Sequence, residues 1–206
     1  MKLACLKNED IETTAIGVPD GYLPIQDLNR ATEGQWPADI LELLGSGRLQ
    51  ELNTWYREGG CNQVEELSQF VVPADRVQTA PLYRHPHKIW GIGLNYAAHA
   101  ADLSESTPTG IPGSFMKPDT TIIGPGDTIQ IPTISEKTTA EAELGVIIGR
   151  KCRLVAQEDW LSVVAGFTTI IDMTAEDILR RNPRYLTVSK SFDTFFSFGP
   201  QLVTPD

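Results

Sequence analysis

The stretch EKTTAEAELGVIIGR, from Glu136 to Arg150, constrains the fold more than any other part of the sequence. It begins with charged and hydroxyl residues and continues as an apolar segment that favours a β-strand. Successive side chains of a strand point to opposite faces. Four apolar side chains therefore share one face that suits a hydrophobic core: Ala142, Leu144, Val146 and Ile148. Glu141 and Glu143 share the other face.

The glutamate pair leaves two interpretations open. Two carboxylates that lie side by side repel each other unless water or a cation lies between them. One explanation is a wet, exposed edge strand, where charged residues are common. The other is a metal site, because carboxylate oxygens are the ligands that hard divalent cations prefer. The pair alone does not decide between the two.

The composition is that of an ordinary soluble protein, and we expect the protein to lie in the cytoplasm. With 17 Lys plus Arg against 27 Asp plus Glu the net charge is −10, which argues against nucleic-acid and acidic-membrane partners, since both need basic patches. No apolar run reaches about 18 residues, so we expect no membrane span. Cys5, Cys61 and Cys152 are too few and too scattered for a disulfide framework or a zinc cluster. We expect them to be buried, inert thiols.

The order of strand, helix and linker patterns along the sequence predicts two domains. Two β-prone runs flank the turn Pro19-Asp20-Gly21 and predict a hairpin, and apolar residues at helical spacing follow over residues 36–60. The proline-containing stretch 72–87 is typical of a linker. We expect the boundary near Tyr83. Residues 1–83 would form a small N-terminal α+β domain with its linker, and residues 84–206 would form a strand-rich α+β domain.

Two further polar residues stand out in the second domain. Asp172 closes an apolar run in FTTIIDMTAEDI, where it either caps the helix that follows or presents a functional carboxylate at the end of a strand. Lys190 lies in the aromatic segment TVSKSFDTFFSFGP, where it either extends to solvent or places a cation near a site.

Five motifs in order make the sequence from Arg84 to about Asp206 resemble the fumarylacetoacetate hydrolase family: KIWGIGLNYAAHAADL, SFMKP, EAELGVIIG, IIDMTAED and SKSFDTFFSFGP. The resemblance implies a mixed β-sheet roll or barrel as the catalytic domain, with a small domain before it and a homodimer as the assembly. Relatives continue through more strands, so we expect that the usual C-terminal part is missing from this chain.

The resemblance also implies a metal site and a catalytic group. Mg²⁺ or Mn²⁺ is expected on Glu141, Glu143 and Asp172, a set of hard oxygen ligands. Lys190 is expected to add positive charge near the substrate oxygens. His99 would act as a general base, oriented by Asp102 three residues later, where the family usually has Glu.

Other motif residues are expected to form the substrate pocket. The resemblance assigns substrate contacts to Asn95, Tyr96 and Lys117. The Ser/Thr/Pro/Gly-rich run from Leu103 to Gly113 is typical of a loop that closes over a substrate. The chain departs from the family at Glu176, where Arg is frequent, so that a charge at the site differs.

The resulting expectation is a metal-dependent hydrolase that cleaves a C–C bond in a small anionic 2-oxo or 2,4-dioxo acid of the fumarylacetoacetate or acylpyruvate type. An isomerase or decarboxylase of related 2-oxo or 2-hydroxy-dienoic acids, acting through the same enolate, is the nearest alternative. A non-catalytic remnant that keeps the fold and the metal is an alternative of another class.

Overall fold

The computed structural model describes residues 1–9, 11–93, 96 and 109–205. The strands are β1 (Lys2–Asn8), β2 (Ile11–Val18), β3 (Gly21–Pro24), β4 (Val72–Pro73), β5 (Gln78–Thr79), β6 (Ile89–Ile92), β7 (Ser114–Lys117), β8 (Ile122–Ile123), β9 (Thr138–Ile148), β10 (Val164–Ala175), β11 (Phe196–Phe198) and β12 (Gln201–Val203). The α-helices are α1 (Ile25–Thr32), α2 (Ile40–Gly45), α3 (Arg48–Trp55), α4 (Cys61–Glu66), α5 (Glu176–Arg181) and α6 (Leu186–Lys190). Shorter helical segments are the π-helical Tyr56–Gly60 and the 3-10 segments Ser68–Phe70, Ala74–Arg76, Asp119–Thr121, Gln157–Val163 and Pro183–Tyr185.

Ten of the strands form one mixed sheet in the described part of the chain. Its order is β4-β3-β2-β1-β12-β10-β11-β8, with β5 beside β1 and β9 beside β10. Strands β6 and β7 form a separate antiparallel hairpin. The predicted class, strand-rich α+β, is confirmed.

The N-terminal segment and the C-terminal segment share this sheet. Strands β2 and β3 form the predicted hairpin, in which Val18 pairs with Gly21. Strand β1 pairs with β12, so that Leu3 lies opposite Leu202, and both side chains are fully buried. One hydrophobic core therefore joins the two parts, and the domain boundary near Tyr83 stays a prediction.

Strand β9 has the predicted alternation, but its apolar face is the exposed one. Leu144, Val146 and Ile148 are 60%, 47% and 52% exposed, and Ile171 of the neighbouring β10 is 41% exposed. Sequence alternation identifies residues that share a face without identifying the face that becomes covered. The glutamates therefore belong to the inner face of the strand pair.

Two other expectations are wrong. Asp172 does not cap a helix, because β10 continues through it to Ala175 and α5 begins only at Glu176. The cysteines are not all buried, since Cys5 is buried whereas Cys152 is exposed.

In the described residues, we find no helix with the length and apolar character that crossing a membrane requires.

Candidate active site

Three carboxylates lie on one face of the β9–β10 pair. Asp172 on β10 lies directly opposite Glu141 on β9, and Glu143 lies opposite Ile170. Residues that are opposite in an antiparallel pair share a face, as do residues two apart on one strand. The structure thus brings together the three residues that the sequence singled out as metal ligands.

Lys190 lies among these carboxylates. It is the last residue of α6, and its ammonium Nζ lies 2.6 Å from Asp172 Oδ2 and 3.0 Å from Glu141 Oε2. The Nζ atom also lies 4.5 Å from the ring centroid of Phe115, within the range of a cation–π contact. Because Lys190 is only 5% exposed, the interpretation that it extends to solvent is wrong.

Lys117 approaches Asp172 from the other side. Its Nζ lies 2.7 Å from Asp172 Oδ1, and the side chain is buried. Burial lowers the pKa of Lys117 to about 8, although the charge of Asp172 opposes this shift. The Asp172 carboxylate therefore has one lysine at each oxygen.

Glu143 faces two like charges. Burial raises its pKa, and the negative charges of Glu141 and Asp172 raise it further. A hydrogen bond with Tyr96 and the charge of Lys190 act in the opposite direction. The Tyr96 hydroxyl also accepts a hydrogen bond of 3.4 Å from the backbone N–H of Leu144. Tyr96, expected at the substrate, thus contacts the strand that carries the glutamates.

A cleft of about 350 Å³ lies beside these charges. The hairpin β6–β7 contributes Trp90 and Phe115 to its walls, and the sheet contributes Phe196 and Phe198 together with several aliphatic side chains. Asp172, Glu143 and Lys117 line the same cleft. An aromatic wall beside a few polar groups is typical of a site for a small molecule.

Two site residues were missed by sequence reasoning. The Thr174 hydroxyl donates a hydrogen bond of 3.2 Å to Glu141 Oε1, and Phe115 packs against Lys190. Thr174 and Phe115 each lie two positions from a singled-out residue, Asp172 and Lys117. Strand periodicity through those positions would have indicated both.

The carboxylates are suited to a divalent cation by their chemistry. All three offer the hard oxygen ligands that Mg²⁺ and Mn²⁺ prefer, and Asp172 Oδ1 already has a cation beside it, the Lys117 ammonium at 2.7 Å. As the side chains stand, however, no His, Cys, Asp or Glu group of three or more in residues 1–9, 11–93, 96 and 109–205 is arranged to hold a metal ion. Glu141 and Glu143 have to turn toward Asp172 for all three to bind one cation.

Several expected site residues lie outside the described part of the chain. His99, Asp102 and Asn95 are among them, as are residues 103–108 of the expected covering loop. The described remainder of that loop contains Ile111, which is 99% exposed. The roles of these residues stay predictions.

The sheet and the cleft with its carboxylates and lysines define a site for a small molecule. Comparison with known proteins shows the family in which such a site occurs. The family model described as fumarylacetoacetate (FAA) hydrolase C-terminal matches residues 88–206. The chain belongs to the fumarylacetoacetate hydrolase family.

Three relatives illustrate the range of this family. The oxaloacetate tautomerase Fahd2a, mitochondrial, of Rattus norvegicus is 36% identical over 136 residues, which are 66% of this chain and 43% of that protein. Maleylpyruvate hydrolase from Sphingobium sp. SYK-6, solved with manganese(II) and pyruvate, is 28% identical with a TM-score of 0.69 over 100% of this chain and 68% of its own. A 5-carboxymethyl-2-hydroxymuconate delta-isomerase from Mycobacterium smegmatis is 25% identical with a TM-score of 0.69 over 100% of this chain and 67% of its own.

Proposed function

We propose that this protein is a divalent-metal-dependent enzyme that hydrolyses a C–C bond in a 2-oxo or 2,4-dioxo acid. The observation that carries the proposal is the position of Lys190, a buried ammonium that contacts Glu141 and Asp172 beside an aromatic cleft. A buried ammonium that contacts carboxylates beside a cleft is typical of catalytic sites. The manganese and pyruvate in the related maleylpyruvate hydrolase support both the cofactor and the substrate class.

The residues of the cleft have separate tasks in this proposal. Glu141, Glu143 and Asp172 would hold Mg²⁺ or Mn²⁺, which when bound supplies Lewis-acid polarisation of an oxo group. Lys190 places its positive charge where negative charge develops on the substrate oxygen. The aromatic side chains of Phe115, Phe196 and Phe198 exclude water, which strengthens these electrostatic interactions.

Proton transfer is assigned to His99 and Asp102 by the family resemblance alone. In the hydrolytic reaction His99 takes a proton from water as the water oxygen bonds to the acyl carbon. The C–C electron pair passes to the departing 2-oxo acid, which is then protonated at carbon. Asp102 would orient the imidazole and stabilise its charged form.

The test is turnover of a panel of acylpyruvates and oxaloacetate with Mg²⁺, with Mn²⁺ and with a chelator. We expect cleavage of an acylpyruvate that disappears in chelator and returns when metal is added. Lys190→Met should abolish this turnover, whereas Lys151→Met, which removes an exposed lysine, serves as the matched control. Equal turnover with and without chelator would refute the metal-dependent mechanism.

Proton transfer without C–C cleavage is a second candidate reaction, favoured by the tautomerase and isomerase activities that the names of two relatives state. Oxaloacetate tautomerisation would use the same lysine and carboxylates, as would decarboxylation, which does break a C–C bond but releases CO₂ without consuming water. Proton NMR in D₂O separates the reactions, because hydrolysis of an acylpyruvate gives a carboxylate and pyruvate, decarboxylation of oxaloacetate gives pyruvate and CO₂, and tautomerisation exchanges hydrogen at the carbon beside the oxo group. Metal binding without turnover of any panel member would favour the non-catalytic alternative. The homodimer and the cytoplasmic location stay predictions.

A further inference from the structure

We propose that Lys117 is a positioning residue: its buried ammonium holds Asp172 and the end of the helix that carries Lys190 in place, and it does not contact the substrate. Because Asp172 and Lys190 belong to the proposed active site, this role rests on the proposed function. It replaces the substrate contact that the resemblance suggested for Lys117 with a different task.

The hydrogen bonds of Lys117 account for all its donors. The Nζ atom donates to the carbonyl oxygens of Met173, at 3.2 Å, of Phe195, at 3.0 Å, and of Lys190, in a very short contact. A lysine ammonium has three N–H donors and no acceptor. With Asp172 Oδ1 at 2.7 Å, four oxygens of the protein surround these three donors, and no donor is left for a substrate carboxylate.

The same accounting explains the environment of Asp172. Its Oδ1 lies 2.7 Å from Lys117 Nζ, so that the ammonium lies between this carboxylate oxygen and the three backbone carbonyls. The attraction between the two opposite charges fixes the position of the carboxylate.

Lys117 also fixes the second member of the Asp172–Lys190 ion pair. The carbonyl of Lys190 ends α6, where the last carbonyl groups of a helix have no partner within the helix. Lys117 supplies that partner, while the Lys190 side chain extends to Asp172. The backbone of Lys190 and the carboxylate of Asp172 are therefore held by one ammonium.

Contacts, and not burial, separate Lys117 from Lys190. Both side chains are buried, at 1% and 6% exposure, and Lys117 lines the cleft, but its ammonium contacts three backbone carbonyls, whereas the ammonium of Lys190 contacts carboxylates. Partners of metal ligands of this kind typically contribute about 10- to 100-fold to metal affinity or activity. We expect the same contribution from Lys117.

The first experiment measures Mn²⁺ affinity and kinetics of Lys117→Met beside Lys151→Met. The positioning role predicts Mn²⁺ binding weaker by about 10- to 100-fold and a lower kcat with little change in KM. A lysine that binds substrate would instead raise KM and leave Mn²⁺ affinity at the wild-type value, which would overturn the proposal.

A second measurement uses the wild-type chain, so that it holds even if Lys117→Met does not fold. The chain is labelled with ¹⁵N-lysine, loaded with Mg²⁺ and titrated with pyruvate, while the ammonium signals are followed by NMR. We expect the Lys190 signal to shift and the Lys117 signal to stay in place. A Lys117 shift as large as that of Lys190 would refute the positioning role, whereas a failure of Mg²⁺ to bind the wild-type chain would refute the proposed function instead.

Discussion

Asp172 and Lys190 form a buried ion pair with 2.6 Å between Oδ2 and Nζ, although they lie 18 residues apart in the sequence. Removal of one member of such a pair leaves an uncompensated buried charge, at a cost of about 3–5 kcal/mol. Because Asp172 keeps Lys117 as a second cation at 2.7 Å, we expect Lys190→Met to lower the free energy of unfolding of the metal-free protein by less than this amount. Urea denaturation in chelator, with Lys151→Met as control, measures the change, and equal midpoints would show that the pair adds no stability.

Glu143 should affect stability and metal binding in opposite directions. Burial raises the pKa of its carboxyl group, and repulsion by Glu141 and Asp172 raises it further. We therefore expect Glu143→Gln to raise the melting temperature in chelator, because the repulsion is removed, and to weaken Mg²⁺ binding, because one anionic ligand is lost. Differential scanning calorimetry in chelator measures the melting temperature, and isothermal titration calorimetry measures Mg²⁺ affinity.

The exposed Glu158 provides a matched control for Glu143, and Glu158→Gln should change neither quantity. A Glu143→Gln protein that is less stable in chelator than the wild type would contradict the repulsion. Unchanged Mg²⁺ affinity would remove Glu143 from the ligand set.

Glu176 gives the protein a pH-dependent contribution to stability. Its carboxylate lies 2.7 Å from Lys137 Nζ and 2.5 Å from Arg180 Nη2, and the hydrogen bond from Lys137 is the main cause that lowers its pKa below the ordinary 4.5. A lowered carboxyl pKa gives stability that is present above pH 4.5 and is lost as the pH falls through the folded-state pKa.

The difference in unfolding free energy between wild type and Glu176→Gln should therefore be largest near neutral pH and should shrink as the pH falls below 4.5. Urea denaturation at a series of pH values measures this difference. A difference that stays constant, or grows in acid, would mean that the ion pairs of Glu176 with Lys137 and Arg180 do not stabilise the fold.

A bidentate ion pair joins β2 to the segment that follows Tyr83. The Arg84 guanidinium donates from Nε to Glu12 Oε2 at 3.1 Å and from Nη2 to Glu12 Oε1 at 2.5 Å. Because the Arg84 side chain is 40% exposed, solvent screens the pair, and we expect a coupling energy of about 0.2–1 kcal/mol. A double-mutant cycle with Glu12→Gln and Arg84→Met measures it, and zero coupling would show that the pair forms without stabilising the fold.

The sequence predicted the site better than its surroundings. Strand periodicity placed Glu141 and Glu143 on one face, whereas their association with Asp172 was expected from the family resemblance, because alternation within a strand does not determine the register between strands. The burial of Lys117 was not predictable, because its carbonyl partners at Met173 and Phe195 lie 56 and 78 residues away. Backbone carbonyls occur at every residue, so that no residue type signals such a contact.

The exposed apolar face of β9 has a consequence for strand register. A pairing that slips by one residue turns every side chain to the other face, and burial of an apolar face normally prevents such slippage. Here Leu144, Val146 and Ile148 are exposed, so that burial of these side chains does little to fix the pairing. On the inner face, the burial of Ile147 and the contacts of Glu141 with Lys190 and Thr174 hold β9 in register against β10. The charges that form the site thus also contribute to the alignment of the two longest strands.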